Sequence, residues 1–131
     1  MKLSEAIRLG AMATEHATHA LQRIGRNGSI VTCALGSALY AVGQRLDGSA
    51  AYDYIGARWQ WVVSHLVLCP GCCGCHNQHH PREIIIHLND SHHWSRERIA
   101  YWVAMIEPQE QLPLEDKREE QPKSEVVVVA Q

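Results

Sequence analysis

A dense run of cysteines and histidines in the middle of the chain most constrains what this sequence can fold into. The side chains of residues 69–83 are small or polar, so this stretch has little with which to build a hydrophobic core of its own. A bound metal ion would fix such a loop against the rest of the fold. The run contains Cys69, Cys72, Cys73 and Cys75, and then His76, His79, His80, His87, His92 and His93.

The spacing within this run is close to that of a Cys2His2 zinc site. Cys69 and Cys72 form a C-x2-C knuckle, 14 residues separate Cys72 from His87, and 4 residues separate His87 from His92. Zinc prefers four nitrogen or sulfur ligands in a tetrahedron, which these side chains can supply. The spacing therefore predicts a structural zinc ion on Cys69, Cys72, His87 and His92. The alternative ligands are Cys75, His76 and His93.

Three other interpretations of the run remain open. Cys69, Cys72 and Cys75 match part of an iron–sulfur pattern, for which Cys33 would have to provide the fourth thiolate. Residues 72–76 match the C-x-x-C-H motif of c-type haem attachment, although that attachment normally follows export. The last interpretation is that no metal binds and that the cysteines serve as small buried side chains.

The start of the chain and its overall charge restrict its location and its partners. Glu5 and Arg8 interrupt what would have to be the apolar core of a secretory signal, and no stretch suits a membrane span. We therefore expect a cytoplasmic protein whose cysteines stay reduced. The net charge of −2 provides no global basic field, so nucleic-acid binding is not favoured.

The hydrophobic pattern predicts a mainly α fold, with one small domain of about four helices over residues 1–107. Apolar side chains recur at helical spacing, and Ser4, Thr32 and Ser95 are the predicted N-caps. The short apolar run at 84–86 fits either a strand or a buried helical turn. The predicted helices cover 4–24, 33–42, 55–67 and 96–106, and the Cys/His metal-binding loop covers 69–93.

The composition changes after the last predicted helix. Residues 108–131 are rich in Glu, Gln, Lys and Pro, which predicts a disordered linker. The segment closes with Val126, Val127, Val128 and Val129, four β-prone residues in succession. We expect these valines to bind a protein partner or a second copy of the chain by strand addition.

Several segments together resemble small uncharacterised bacterial and phage-borne proteins. The matching segments are residues 2–8, the T-C-A-L-G run at 32–36, the C-P-x-C knuckle at 69–72 and the H-L-N-D-x-H-x-W-S-R-E helix at 87–97. The resemblance covers about residues 1–107 and implies a helical cytoplasmic domain without an established activity. The chain departs from this pattern in Cys73, Cys75 and His76.

These features favour a non-enzymatic, zinc-stabilised interaction or regulatory module of phage or mobile-element type. A closed four-ligand site has no open position for a reactive water, and only Asp90 or Glu83 lies close enough in sequence to act as a base. The alternatives are an electron-transfer protein carrying haem c or an iron–sulfur cluster, and a zinc-knuckle nucleic-acid-binding protein. The latter would use Arg96 and Arg98 as its contact surface.

Overall fold

The computed structural model describes residues 1–71 and 77–109. Cys72, Cys73, Cys75, His76 and Val126–Val129 lie outside these ranges, as does nearly all of the predicted linker. Among the described residues, no helix has the length and apolarity that crossing a bilayer requires. In chain order the elements are helix α1 (Leu3–Ala13), strands β1 (Glu15–His16), β2 (Gln22–Ile24) and β3 (Ile30–Thr32), and helices α2 (Ala34–Ala41), α3 (Gly48–Arg58), α4 (Trp61–Ser64), α5 (Pro81–Asp90) and α6 (Arg96–Ile106).

The described part of the chain is mostly helical, as predicted, but it contains six helices and a small sheet that was not predicted. The strand order is β1-β3-β2, with β1 parallel and β2 antiparallel to β3. Helices α1 and α6 run antiparallel, since Ser4 bonds to Glu107 at one end and Arg96 bonds to Ala11 at the other. The core lies between these helices, α2 and α5.

The predicted helix over 4–24 is wrong in its second half. Helix α1 ends at Ala13, and Thr14 adopts an extended conformation with φ −138° and ψ 168°. The following residues form β1, an irregular turn and β2. Asn27-Gly28 lies in the turn of the β2–β3 hairpin, where Gly28 has φ +82°. A β-hairpin turn commonly needs such a left-handed residue, and glycine adopts this conformation without strain.

Two other predicted helices are shifted. Helix α2 is capped by Cys33 rather than Thr32, because the Cys33 Sγ accepts a hydrogen bond from the Gly36 backbone at 3.4 Å. Instead of one helix over 55–67, the chain forms α3 and α4, which are separated by a bend at Trp59.

The predictions from the sequence were more accurate for the last two helices. The apolar run at 84–86 lies within α5, which resolves the choice between a strand and a helical turn. The prediction of a helix over 96–106 is confirmed, and Ser95 caps it by accepting a hydrogen bond from the Arg98 backbone at 3.1 Å.

Arg96 is buried, with only 6% of its surface exposed, and no carboxylate among the described residues pairs with it. Its guanidinium instead donates to the hydroxyls of Thr14, Thr32 and Ser37 at 2.8, 3.1 and 3.2 Å. It also donates to the carbonyls of Ala11 and Thr14, which end α1, at 3.3 and 3.0 Å. Arg96 is therefore a structural link between α1, β3, α2 and α6, and it is not exposed in the way that the alternative of a nucleic-acid contact surface requires.

Two glycines permit the close approach of α1 and α2 to their neighbours. A Cβ added to Gly10 would lie 1.8 Å from the Ser37 carbonyl oxygen, and one added to Gly36 would lie 1.7 Å from that of Leu21.

We expect Gly10→Ala to destabilise the protein by about 1–3 kcal/mol, because the backbones must separate. Gly56→Ala is the matched control. Its nearest neighbour, Val63, is 3.6 Å from the added Cβ, so it should be neutral or stabilising by up to about 1 kcal/mol. Urea unfolding measures the free energy of unfolding of both glycine variants. Equal changes in the two variants would contradict the explanation that Gly10 permits a close backbone approach.

Candidate metal centre

Cys69, His87 and His92 come together in the folded chain, with one ligand atom from each lying within 4.8 Å of the others. These are three of the four side chains that the spacing predicted as ligands, and the fourth, Cys72, lies outside the described residues. Across residues 1–71 and 77–109, no other group of three His, Cys, Asp or Glu side chains gathers in this way. The arrangement can hold a metal ion.

The end of α5 positions the two histidines. His87 occupies the last turn of the helix, and its carbonyl accepts hydrogen bonds from the backbones of Ser91 at 2.8 Å and His92 at 3.2 Å. The chain therefore folds back, and the imidazole rings of His87 and His92 meet edge to face with their centroids 4.6 Å apart. The partial negative charge at the C-terminal end of a helix also favours a cation at this position.

A short arm brings Cys69 to the histidines. Val67 and His79 exchange two backbone hydrogen bonds of 2.9 Å, which close the base of the loop that contains the knuckle. Cys69 follows two residues after Val67 and is 7% exposed. Gly71 packs against the ring of His92, since an added Cβ would lie 3.4 Å from its Cδ2 atom. Gly71, which follows Cys69 by two residues, and the end of α5 are therefore in direct contact.

Asn89 anchors the ligand-bearing helix to the rest of the domain and was not singled out from the sequence. Its side chain is 1% exposed. The Oδ1 atom accepts a hydrogen bond from the Ala34 backbone at 3.1 Å, and Nδ2 donates to the Ala17 carbonyl at 2.9 Å. His16 Nε2 lies 2.8 Å from the same Oδ1 atom. A polar residue in the apolar register of α5 was the signal that could have identified it, because buried amides are normally bonded on all sides.

Other candidate ligands lie away from the group. His93 is exposed and has a left-handed backbone with φ 56°. His79 faces Glu83, with 3.7 Å between Nδ1 and Oε1. Cys33 is buried at the start of α2, and burial, with a smaller contribution from the charge of Asp90, raises the pKa of its thiol. A raised pKa keeps the thiol protonated, which suits a structural cap better than a metal ligand.

The two carboxylates considered as a catalytic base are occupied by other contacts. Asp90 Oδ1 accepts hydrogen bonds from the His19 backbone and from Asn89 Nδ2, both at 2.8 Å. Glu83 is the partner of His79 described above. Neither belongs to the group of three.

No family model matches the chain, and no curated protein or solved structure matches it either.

Proposed function

We propose that this chain is a non-enzymatic interaction module stabilised by one zinc ion, of the phage or mobile-element type that its motifs resemble. Cys69, His87 and His92 are three ligands, and Cys72 supplies the fourth. The observation that carries the proposal is the convergence of the Cys69 sulfur and the two imidazoles within 4.8 Å, from segments about 20 residues apart in sequence.

The donor set favours zinc over other common cations. Thiolate and imidazole are the ligands of structural zinc sites, whereas magnesium and calcium require carboxylate and carbonyl oxygens. With Zn–S near 2.3 Å and Zn–N near 2.0–2.1 Å, a tetrahedron separates sulfur from nitrogen by about 3.6 Å. The observed spread of up to 4.8 Å needs only a small contraction around the ion.

A structural role fits the surroundings of the group better than catalysis does. Four protein ligands would close the coordination sphere, so no water could be activated on the metal. Asp90 and Glu83 are held by other partners, as described above. The ion would instead fasten the arm at residues 65–71 to α5, which is itself fixed in the core through Asn89.

Fastening the arm presents an apolar surface to a partner protein. Leu66 and Leu68 are 54% and 53% exposed, while Val67 between them is half-buried and Cys69 faces the group. This alternation is typical of an extended segment with one face inward. Two large apolar side chains on an arm held by the metal favour a protein partner over a nucleic acid. Of the two arginines considered for nucleic-acid contact, Arg96 is buried, and Arg98 stacks on Trp94 at 3.7 Å from its ring centroid.

Elemental analysis of the full chain, purified without added metal, tests the metal assignment. We expect one zinc per chain and a colourless solution. Replacing zinc with Co²⁺ should give the intense absorption of a tetrahedral thiolate site, since cobalt adopts the same coordination. Iron in stoichiometric amount, or visible absorption before cobalt is added, would support the iron–sulfur or haem alternatives and contradict the proposal.

A further inference from the structure

Strand β2 forms an edge of the sheet and has an open side. Leu21 pairs with Cys33 and Gly25 with Ser29 through backbone hydrogen bonds of 3.3 and 2.7 Å. Antiparallel pairs alternate between bonded and non-bonded positions, so the residues between them, Gln22 and Ile24, direct their backbone N–H and C=O groups away from β3. Within the described chain, these groups have no backbone partner. They are therefore available to a further strand.

A groove of about 370 Å³ lies beside this strand. Ile24 is 71% exposed there, and it is a large apolar side chain on an edge strand. The Oε1 atom of Gln22 is buried and lacks a hydrogen-bond partner within the described chain, although Nε2 of the same side chain donates to the Gln44 carbonyl. An orphaned buried acceptor indicates a missing N–H donor. The groove is lined by Gln22, Arg23, Ile24, Ile30, Arg45, Leu46 and Asp47.

The charges of the groove and of residues 110–131 are complementary. Arg23 and Arg45 are exposed at the groove and Arg26 lies in the adjacent turn, against the single carboxylate of Asp47. Residues 110–131 contain six carboxylates and three cationic side chains, which gives them a net charge of −3. The run Val126–Val129 adds four β-prone apolar side chains preceded by a glutamate. This segment matches the groove in charge, in apolar character and in its preference for an extended backbone.

The connection is long enough for the segment to reach β2 of its own molecule. Val126 lies 17 residues after Gln109 in the sequence, and an extended chain of that length spans up to about 56 Å. A domain of this size has a radius of gyration of about 13 Å, so every point on its surface lies within reach. A covalent tether of this length also gives a local concentration in the millimolar range, which favours the same molecule over a second copy in dilute solution.

We propose that the segment Glu125–Val129 adds as a fourth strand to the open edge of β2 in the same molecule, with its valines beside Ile24 and its acidic linker near Arg23 and Arg45. The added strand would supply backbone N–H donors to the edge and to Gln22 Oε1. The site is separate from the metal centre and does not depend on it. An occupied groove would be closed to strands of other proteins, so the segment would act as an intramolecular competitor.

Amide hydrogen exchange at Gln22 and Ile24, measured by NMR on the full chain, tests this proposal. We expect both amides to exchange at least tenfold more slowly in the natural chain than in a Val127→Pro/Val128→Pro variant. Proline cannot donate to the ladder, and two consecutive prolines remove an inward-facing donor in either register. The control variant Gln111→Pro/Gln121→Pro changes the linker equally and should leave the protection intact.

Two results would overturn the proposal. Equal exchange at Gln22 and Ile24 in the natural chain and the Val127→Pro/Val128→Pro variant would show that the segment does not cover β2. Protection that falls on dilution would assign the added strand to a second copy and not to the same molecule. Because the metal content of these variants is measured independently, the outcome is distinguishable from failure of the zinc assignment.

Discussion

Replacing Cys69 with serine is expected to weaken zinc binding about a hundredfold or more. Structural zinc sites bind with about 10–16 kcal/mol, so one of four ligands contributes about 3 kcal/mol, and a factor of ten corresponds to 1.4 kcal/mol. Serine cannot replace the thiolate, because its hydroxyl remains protonated and is a poor zinc ligand. Competition with a chromophoric chelator measures the change in affinity for the full chain.

Cys33→Ser is the matched control for this experiment. Cys33 is the other buried cysteine among the described residues, and it lies outside the group formed by Cys69, His87 and His92. A serine at this position can still accept the hydrogen bond from Gly36 that caps α2. Zinc affinity should therefore stay near that of the natural chain. An equal loss in the two variants would mean that the effect comes from general destabilisation and not from the loss of a ligand.

Replacing Cys69 with serine should also loosen the arm at residues 65–71. The bridge between Val67 and His79 and the contact of Gly71 with α5 help to hold the residues around Cys69 in place. We therefore expect faster amide exchange at Val67 and His79 in Cys69→Ser than in Cys33→Ser, with the exchange of α1 and α2 less affected. Chelation of zinc from the natural chain should reproduce this pattern.

Part of the candidate site could be predicted from the sequence, because local backbone contacts bring His87 and His92 together. The last turn of α5 returns His92 to His87 through backbone hydrogen bonds from Ser91 and His92 to the single carbonyl of His87. The residue at which α1 ends could not be predicted in this way. Its last carbonyls are bound by Arg96, which lies 82 residues beyond Thr14, so the helix stops where a distant side chain caps it. The hydrophobic pattern continues past Ala13, and it does not indicate that Arg96 contacts the end of the helix.

The small sheet was missed for the same physical reason. β1 pairs in parallel with β3, and its two residues, Glu15 and His16, are both exposed, so no apolar alternation marks them as a strand. Helix α6 shows the opposite case. Its cap, Ser95, and its apolar stripe are within one short segment, and its boundaries were predicted to the residue. Elements defined by local contacts were predictable, whereas those defined by the buried polar cluster around Arg96 were not.

Arg96→Met is expected to lower the free energy of unfolding by about 2–4 kcal/mol. Methionine fills much of the space of the arginine stem but leaves the Ala11 and Thr14 carbonyls without their donors. Each unsatisfied buried acceptor costs about 1–3 kcal/mol. Part of this cost is offset, because burial also penalises the charged guanidinium, as the lowered pKa of Arg96 indicates. The hydroxyls of Thr32 and Ser37 remain bonded to each other at 2.7 Å, so they add less to the loss.

Arg98→Met is the control that separates this buried network from a general effect of removing a cation from α6. Arg98 is exposed and stacks on Trp94 at 3.7 Å, a contact whose loss at the surface should cost about 0.5–1 kcal/mol. Urea unfolding at constant zinc measures both variants. We expect the Arg96 variant to lose at least twice as much stability as the Arg98 variant, and to show early exchange of the amides around Thr14. Similar losses in the two variants would mean that Arg96 holds the end of α1 no more firmly than a surface arginine would.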